Sequence, residues 1–320
     1  MSAGPTPDGR PDLRERLEDL PPRLAALADE YDRLVGDRDR FLWRWIHSLL
    51  PSFTLSSVDD RQASRVRSVK TVLTMYVTVL DDYLERHGDR RTFSEARKLA
   101  EPDTSADPAD AAVDAETFAF VERLWATVAD GIDGAPRGDE FADVFAYDLR
   151  QTANAIEYSA LVSDRPHLAN LSGARRFEAH NMNLFAYVDV DLMYSPEFDP
   201  EDLGPLRELC WDLQEMARIG NWLTTWEREL AEGDYSAGVV VLALQEGLVS
   251  PEEVRSAADP EAIAERIREN DVESHFRKRW ARLYRDVRSR DNSVDSVDVD
   301  RLVDGMATVY EYHLASEGLK

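Results

Sequence analysis

The chain has 320 residues, with 63 acidic side chains against 38 basic ones and a formal net charge of −25. A field of that sign repels nucleic acid and anionic lipid, so neither is an expected partner. Cys210 is the only cysteine, which excludes an intramolecular disulfide and a cysteine-based zinc site and leaves a small core residue between Leu209 and Trp211.

Residues 1–20 read as a flexible polar lead-in punctuated by Pro21-Pro22. Met1–Arg10 has no apolar leader, and no uninterrupted apolar run reaches roughly 18 residues, the length of a membrane span. The expected location is therefore the cytoplasm. Leu24, Leu27, Tyr31 and Leu34 recur at helical spacing, and a second apolar stripe runs from Phe41 to Leu50 before Pro51. A long helix follows, with Val66, Val69, Leu73, Tyr76 and Leu80 on its apolar side, ending at Gly88-Asp89. Pro102–Asp114 is rich in Asp, Ala and Pro and reads as an exposed loop. Beyond it, helices are expected over 116–132, 138–163, 167–193, 201–231, 236–247, 259–288 and 295–316. No period-2 segment is long enough to build a sheet. The expected architecture is all-α, with residues 21–320 forming one helical domain around a central cavity.

Lysine occurs only at Lys70, Lys98, Lys278 and Lys320, while arginine is abundant. With the carboxylate excess, this points to a salt-adapted, halophilic protein, in which screening relieves self-repulsion. GC-rich codon usage is the alternative, and it does not account for the acids.

Two segments carry chemistry. The first, Asp81-Asp82-Tyr83-Leu84-Glu85, reads D-D-x-x-E. Asp81 and Glu85 stand at i and i+4 and share a helix face. A carboxylate cluster at the rim of the interior repels itself, and a divalent cation relieves that. The second runs from Asn221 to Glu229 and reads N-x-x-x-T-x-x-R-E. Asn221, Thr225 and Glu229 drift slowly along one face and offer amide, hydroxyl and carboxylate oxygens, a set suited to Mg²⁺. Arg228 is adjacent and can donate to a phosphate oxygen.

In order, spacing and content the two motifs resemble those of class I terpene synthases of microbial type, although Trp222 stands where that family usually has Asp. The resemblance implies a terpenoid synthase-like helical bundle and Mg²⁺, in a cluster of three, held by Asp81, Asp82, Glu85, Asn221, Thr225 and Glu229. Asp81, Asp82, Asn221 and Glu229 would be the catalytic set. It implies a prenyl diphosphate substrate, expected in the range C15–C25, ionised and then cyclised or quenched as a carbon–oxygen lyase reaction; the length of the apolar helices favours C20. A diphosphate-sensing arginine is expected upstream at a helix break: Arg175, or its neighbour Arg176, oriented by Glu178, with Ala179 at the break. Arg228 would be a second diphosphate contact. Tyr76, Phe185, Tyr187, Trp222 and Trp226 are the aromatic candidates for facing a carbocation. The Arg-Tyr pair with which many bacterial members end is absent from Val309–His313. A prenyl elongase of the same fold and a non-catalytic acidic helical protein are the competing readings, and a homodimer is left open.

Overall fold

The computed structural model describes residues 17–319 except 111, 257 and 258. Among these residues there are fourteen α-helices and no strand. In chain order they are α1 (Pro22–Leu34), α2 (Phe41–Leu49), α3 (Ala63–Asp81), α4 (Arg90–Ala96), α5 (Ala115–Asp133), α6 (Gly138–Asp164) and α7 (Leu171–Arg176). Then follow α8 (Leu184–Met193), α9 (Leu203–Glu232), α10 (Gly238–Gln245), α11 (Pro251–Ser256), α12 (Pro260–Glu269), α13 (Val272–Ser289) and α14 (Val299–Ala315). None of them is long and apolar enough to cross a membrane.

The apolar stripes read from the sequence fold inward into one buried cluster that extends from Leu17 to Val309. Cys210 is fully buried in it. α3 is covered by α5, while α9 packs against α14, α13 and α8. α14 approaches the turn Leu50–Phe53 closely enough that a Cβ on Gly305 would overlap the carbonyl oxygen of Ser52. Only glycine allows that contact, and it brings α14 to the wall of the central cavity.

Three expectations need correction. Residues 1–16 of the lead-in lie outside the described residues, but 17–20 are anchored: Leu17 is buried, its carbonyl accepts from Arg44 at 2.6 Å, and Glu18 N donates to Ser48 at 3.1 Å. The segment 167–193 is not one helix. Asn170 caps α7 by accepting from Gly173 N at 2.8 Å, and Asn183 sits at φ 56°, which stops the turn Glu178–Met182 and starts α8. Likewise 259–288 is divided at Asp271, φ 52°. Asn and Asp enter the left-handed region at low cost because their short side chains bond locally.

Candidate active site

α3 ends at Asp81 and continues as a π-helical turn over Asp82–Arg86. Such a turn inserts one extra residue into the helical ladder, re-aims the side chains that follow, and is frequent at functional sites. Here it leaves Asp81 and Glu85 facing a cavity of about 410 Å³, while Asp82 does not line it. α9 faces them across the mouth and brings Asn221, Thr225, Arg228, Glu229 and Glu232 to the same cavity, with Asp234 just beyond its end. The interior is mostly apolar: α2 contributes Leu42, Trp45, Ile46 and Leu49, and α14 contributes Met306 and Val309.

The mouth is a carboxylate cluster with too few donors. Burial pushes the Glu85 carboxyl well above the usual range, and Asp81, Asp234 and Glu229 push it further; Arg38 opposes them. Asp234 is pushed up to about 6 by burial and by Glu229. Glu85 Oε1 and Glu229 Oε2 are buried with no hydrogen-bond partner. A buried carboxylate oxygen with nothing to accept from is costly, and a hard cation with an oxygen shell is the group that removes the cost. Among the described residues no three His, Cys, Asp or Glu side chains form a ready-made cage. The oxygen set is instead mixed and split between two helices. It fits Mg²⁺, with Thr225 Oγ1 donating to the Asn221 carbonyl at 2.8 Å and so keeping its lone pairs free.

Six of the eight expected residues therefore meet at the cavity: Asp81, Glu85, Asn221, Thr225, Arg228 and Glu229. Asp82 does not. It is fully buried, Oδ2 accepting from Tyr31 at 2.7 Å and Oδ1 from Arg38 at 2.8 Å, so its carboxylate is committed to holding the loop between α1 and α2. Arg175 does not either. Its guanidinium lies 3.2 Å from Glu215 and 3.4 Å from His275, outside the cavity wall. Glu178 pairs with Arg218 instead: Arg218 Nε donates to Oε2 at 3.0 Å and Nη2 donates to Oε1. Arg218 Nη1 also donates to Asn221 Oδ1 at 2.5 Å. Arg218 is nearly buried yet lines the cavity. The sequence carries a signal for it, a lone arginine in the apolar run Met216–Leu223, one turn before Asn221.

Of the five aromatic candidates only Tyr187 lines the cavity. Tyr76 donates to the Ala96 carbonyl, Phe185 packs on His180 and Trp211, Trp222 on Phe276, and Trp226 donates to Glu273. Trp45 and Phe53 take the places the others do not. At the end of the chain Tyr310 stacks on Trp280, and it is His313 of α14 that reaches the cavity.

No family model matches the sequence, and no curated protein matches it. Solved structures do. The structure is similar to the linalool/nerolidol synthase from Streptomyces clavuligerus, solved in complex with 2-fluorogeranyl diphosphate: 13% identity, TM-score 0.53, covering 91% of this chain and 95% of that one. It is also similar to wild-type cucumene synthase: 16% identity, TM-score 0.51, covering 95% of this chain and 100% of that one. At these identities the likeness establishes the fold, which is that of class I terpene synthases.

Proposed function

We propose that the cavity binds a linear prenyl diphosphate of C15–C25, C20 favoured, ionises it in the presence of Mg²⁺, and releases pyrophosphate and a cyclised or quenched terpene. The observation that carries this reading is the pair of unpartnered oxygens, Glu85 Oε1 and Glu229 Oε2, beside Arg218 and Arg228 at the mouth of an apolar pocket. Asp81 and Glu85 from one side, and Asn221, Thr225 and Glu229 from the other, would hold the Mg²⁺ cluster, which when bound supplies Lewis-acid stabilisation of the departing diphosphate. Arg218 and Arg228 donate charge-assisted hydrogen bonds to diphosphate oxygens. Glu178 orients Arg218, and Glu232 steadies Arg228 and Arg86. Asp82 acts through Arg38 and Tyr31 rather than as a ligand. The apolar walls keep water from the allylic cation, and the faces of Trp45, Phe53 and Tyr187 stabilise it by cation–π attraction.

Elongation needs a second substrate held by its own carboxylate-bound metals; the Asn221-Thr225-Glu229 set contains one carboxylate, and the neighbouring Glu232 and Asp234 are taken up by Arg228 and Arg86 and by Ser163 and Ser236. Incubation with C10 to C25 prenyl diphosphates and Mg²⁺ is expected to yield pyrophosphate and a product of unchanged carbon number from one of them. A product that lengthens when isopentenyl diphosphate is added would make the protein an elongase, and turnover of none would leave a non-catalytic helical protein.

A further inference from the structure

Arg38 stands between α1 and α2, outside both motif helices, yet its guanidinium reaches both aspartates of the first motif. Nε donates to Asp82 Oδ1 at 2.8 Å, and Nη2 donates to Asp81 Oδ2 at 3.0 Å. The two contacts are unequal. Asp82 is fully buried, held on its other oxygen by Tyr31, and makes no part of the cavity wall. Asp81 lines the cavity, and its second oxygen accepts from Asn181 at 3.3 Å. The bond to Asp82 is thus a fixed mounting. The bond to Asp81 occupies an oxygen that a metal cation at Asp81 and Glu85 competes for.

The segment 35–40 is a non-helical connection held to α1 at its two ends, Gly36 N donating to the Tyr31 carbonyl at 3.0 Å and Arg40 Nη2 to the Ala25 carbonyl at 3.3 Å, which leaves its middle, around Arg38, as the part that can move. Gly36 takes φ 73°, a left-handed conformation that glycine adopts freely. The segment is tied to the turn after Glu85 by exposed contacts only, His87 Nε2 with Asp37 Oδ2 at 2.5 Å and Arg86 Nη1 donating to the Asp37 carbonyl at 3.4 Å. The other cations of the mouth belong to the motif helices themselves: Arg218 pairs with Glu178 and donates to Asn221 Oδ1, Arg228 pairs with Glu232 and reaches Glu229, and Arg86 pairs with Glu232. Arg38 is the mouth cation that reaches a carboxylate oxygen of an expected metal ligand from outside both motif helices. A guanidinium presents a planar fork, so it can keep one carboxylate on Nε while a second edge engages a phosphate oxygen.

We propose that Arg38 is a substrate-binding residue that closes the mouth. Mounted on Asp82, it gives up Asp81 to a divalent cation and takes a diphosphate oxygen instead, drawing segment 35–40 over the bound substrate. The proposal rests on reading the cavity as a diphosphate site. It requires no group of the α14 end of the chain to supply the closing cation.

The test is calorimetric titration of the full chain with inorganic pyrophosphate in Mg²⁺, together with amide hydrogen exchange of residues 35–40. Arg38→Gln is expected to bind pyrophosphate about 10- to 100-fold more weakly than wild type, the size of one charge-assisted contact, with Arg38→Lys between them. In the wild-type protein, exchange over 35–40 is expected to be slower with pyrophosphate and Mg²⁺ than with Mg²⁺ alone; this arm decides the matter if Arg38→Gln does not fold. Equal affinity of wild type and Arg38→Gln overturns the proposal, as does exchange over 35–40 that is indifferent to bound pyrophosphate. Wild-type protein that binds no pyrophosphate overturns the functional reading beneath it.

Discussion

Asp82 and Glu85 lie within one turn of each other and in opposite surroundings. Asp82 is saturated by Tyr31 and Arg38, whereas Glu85 faces the cavity with an unpartnered oxygen. The motif was legible in the sequence as a set of residue types. Which oxygens point inward was not, because the π-helical turn that re-aims them has no signature of its own in D-D-x-x-E. The same holds for the arginines. The family resemblance pointed to Arg175 or Arg176, but the side chain that meets Glu178 and Asn221 is Arg218. Arg218→Gln removes a contact worth roughly 1.5–3 kcal/mol to a charged ligand. Its affinity for pyrophosphate in Mg²⁺ is expected to fall about tenfold or more, while Arg175→Ala binds like wild type. Titration of both variants checks this, with thermal melts to account for the Glu178 charge left buried in Arg218→Gln; loss confined to Arg175→Ala would restore the original assignment.

Long periodic stretches made most helices readable. α5, α6, α9 and α14 begin and end within a few residues of their expected limits because each carries an unbroken apolar stripe. The interruptions were not readable. They rest on single residues such as Asn183 and Asp271, whose left-handed backbone is chosen by tertiary packing rather than by composition. Pairing between elements was hidden too. Lys70 on α3 and Asp191 on α8 are both fully buried, and Lys70 Nζ lies 2.6 Å from each Asp191 oxygen. Asp191 also accepts from Leu55 N at 3.0 Å, just after the turn that carries Phe53. Lys70 sits 5.4 Å from the Phe53 ring centroid and 6.0 Å from that of Tyr187, so the pair fixes two of the cavity's aromatic walls from behind. Removing one partner of a buried pair leaves an uncompensated charge. Lys70→Met is therefore expected to lose about 3–5 kcal/mol of stability, and Lys70→Met/Asp191→Asn to recover much of it, since Asn still accepts from Leu55. Urea unfolding of both would measure this; a loss under about 1 kcal/mol in Lys70→Met would mean the pair is already neutral or dispensable.

At the scale of the whole molecule, two charge effects oppose each other. Exposed pairs such as Arg90–Asp164 and Arg288–Asp304 are weakened by salt and contribute little each. The net −25 is a long-range repulsion that salt relieves. The second effect is the larger if the carboxylate excess is an adaptation, so the melting temperature is expected to rise steeply from low to molar KCl; a flat profile would favour codon usage as its origin. The same excess does not repel an anionic substrate from the mouth, because a bound divalent cation inverts the local field. Catalysis depends on that inversion, and the decisive measurement is the rate of pyrophosphate release from a prenyl diphosphate, for wild type with Mg²⁺, for wild type with EDTA, and for Glu229→Gln with Mg²⁺. Release is expected in the first case and a loss of about a hundredfold or more in the other two, the scale of removing a group that stabilises charge in the transition state. Release that continues unchanged in EDTA, or in Glu229→Gln, would contradict that dependence.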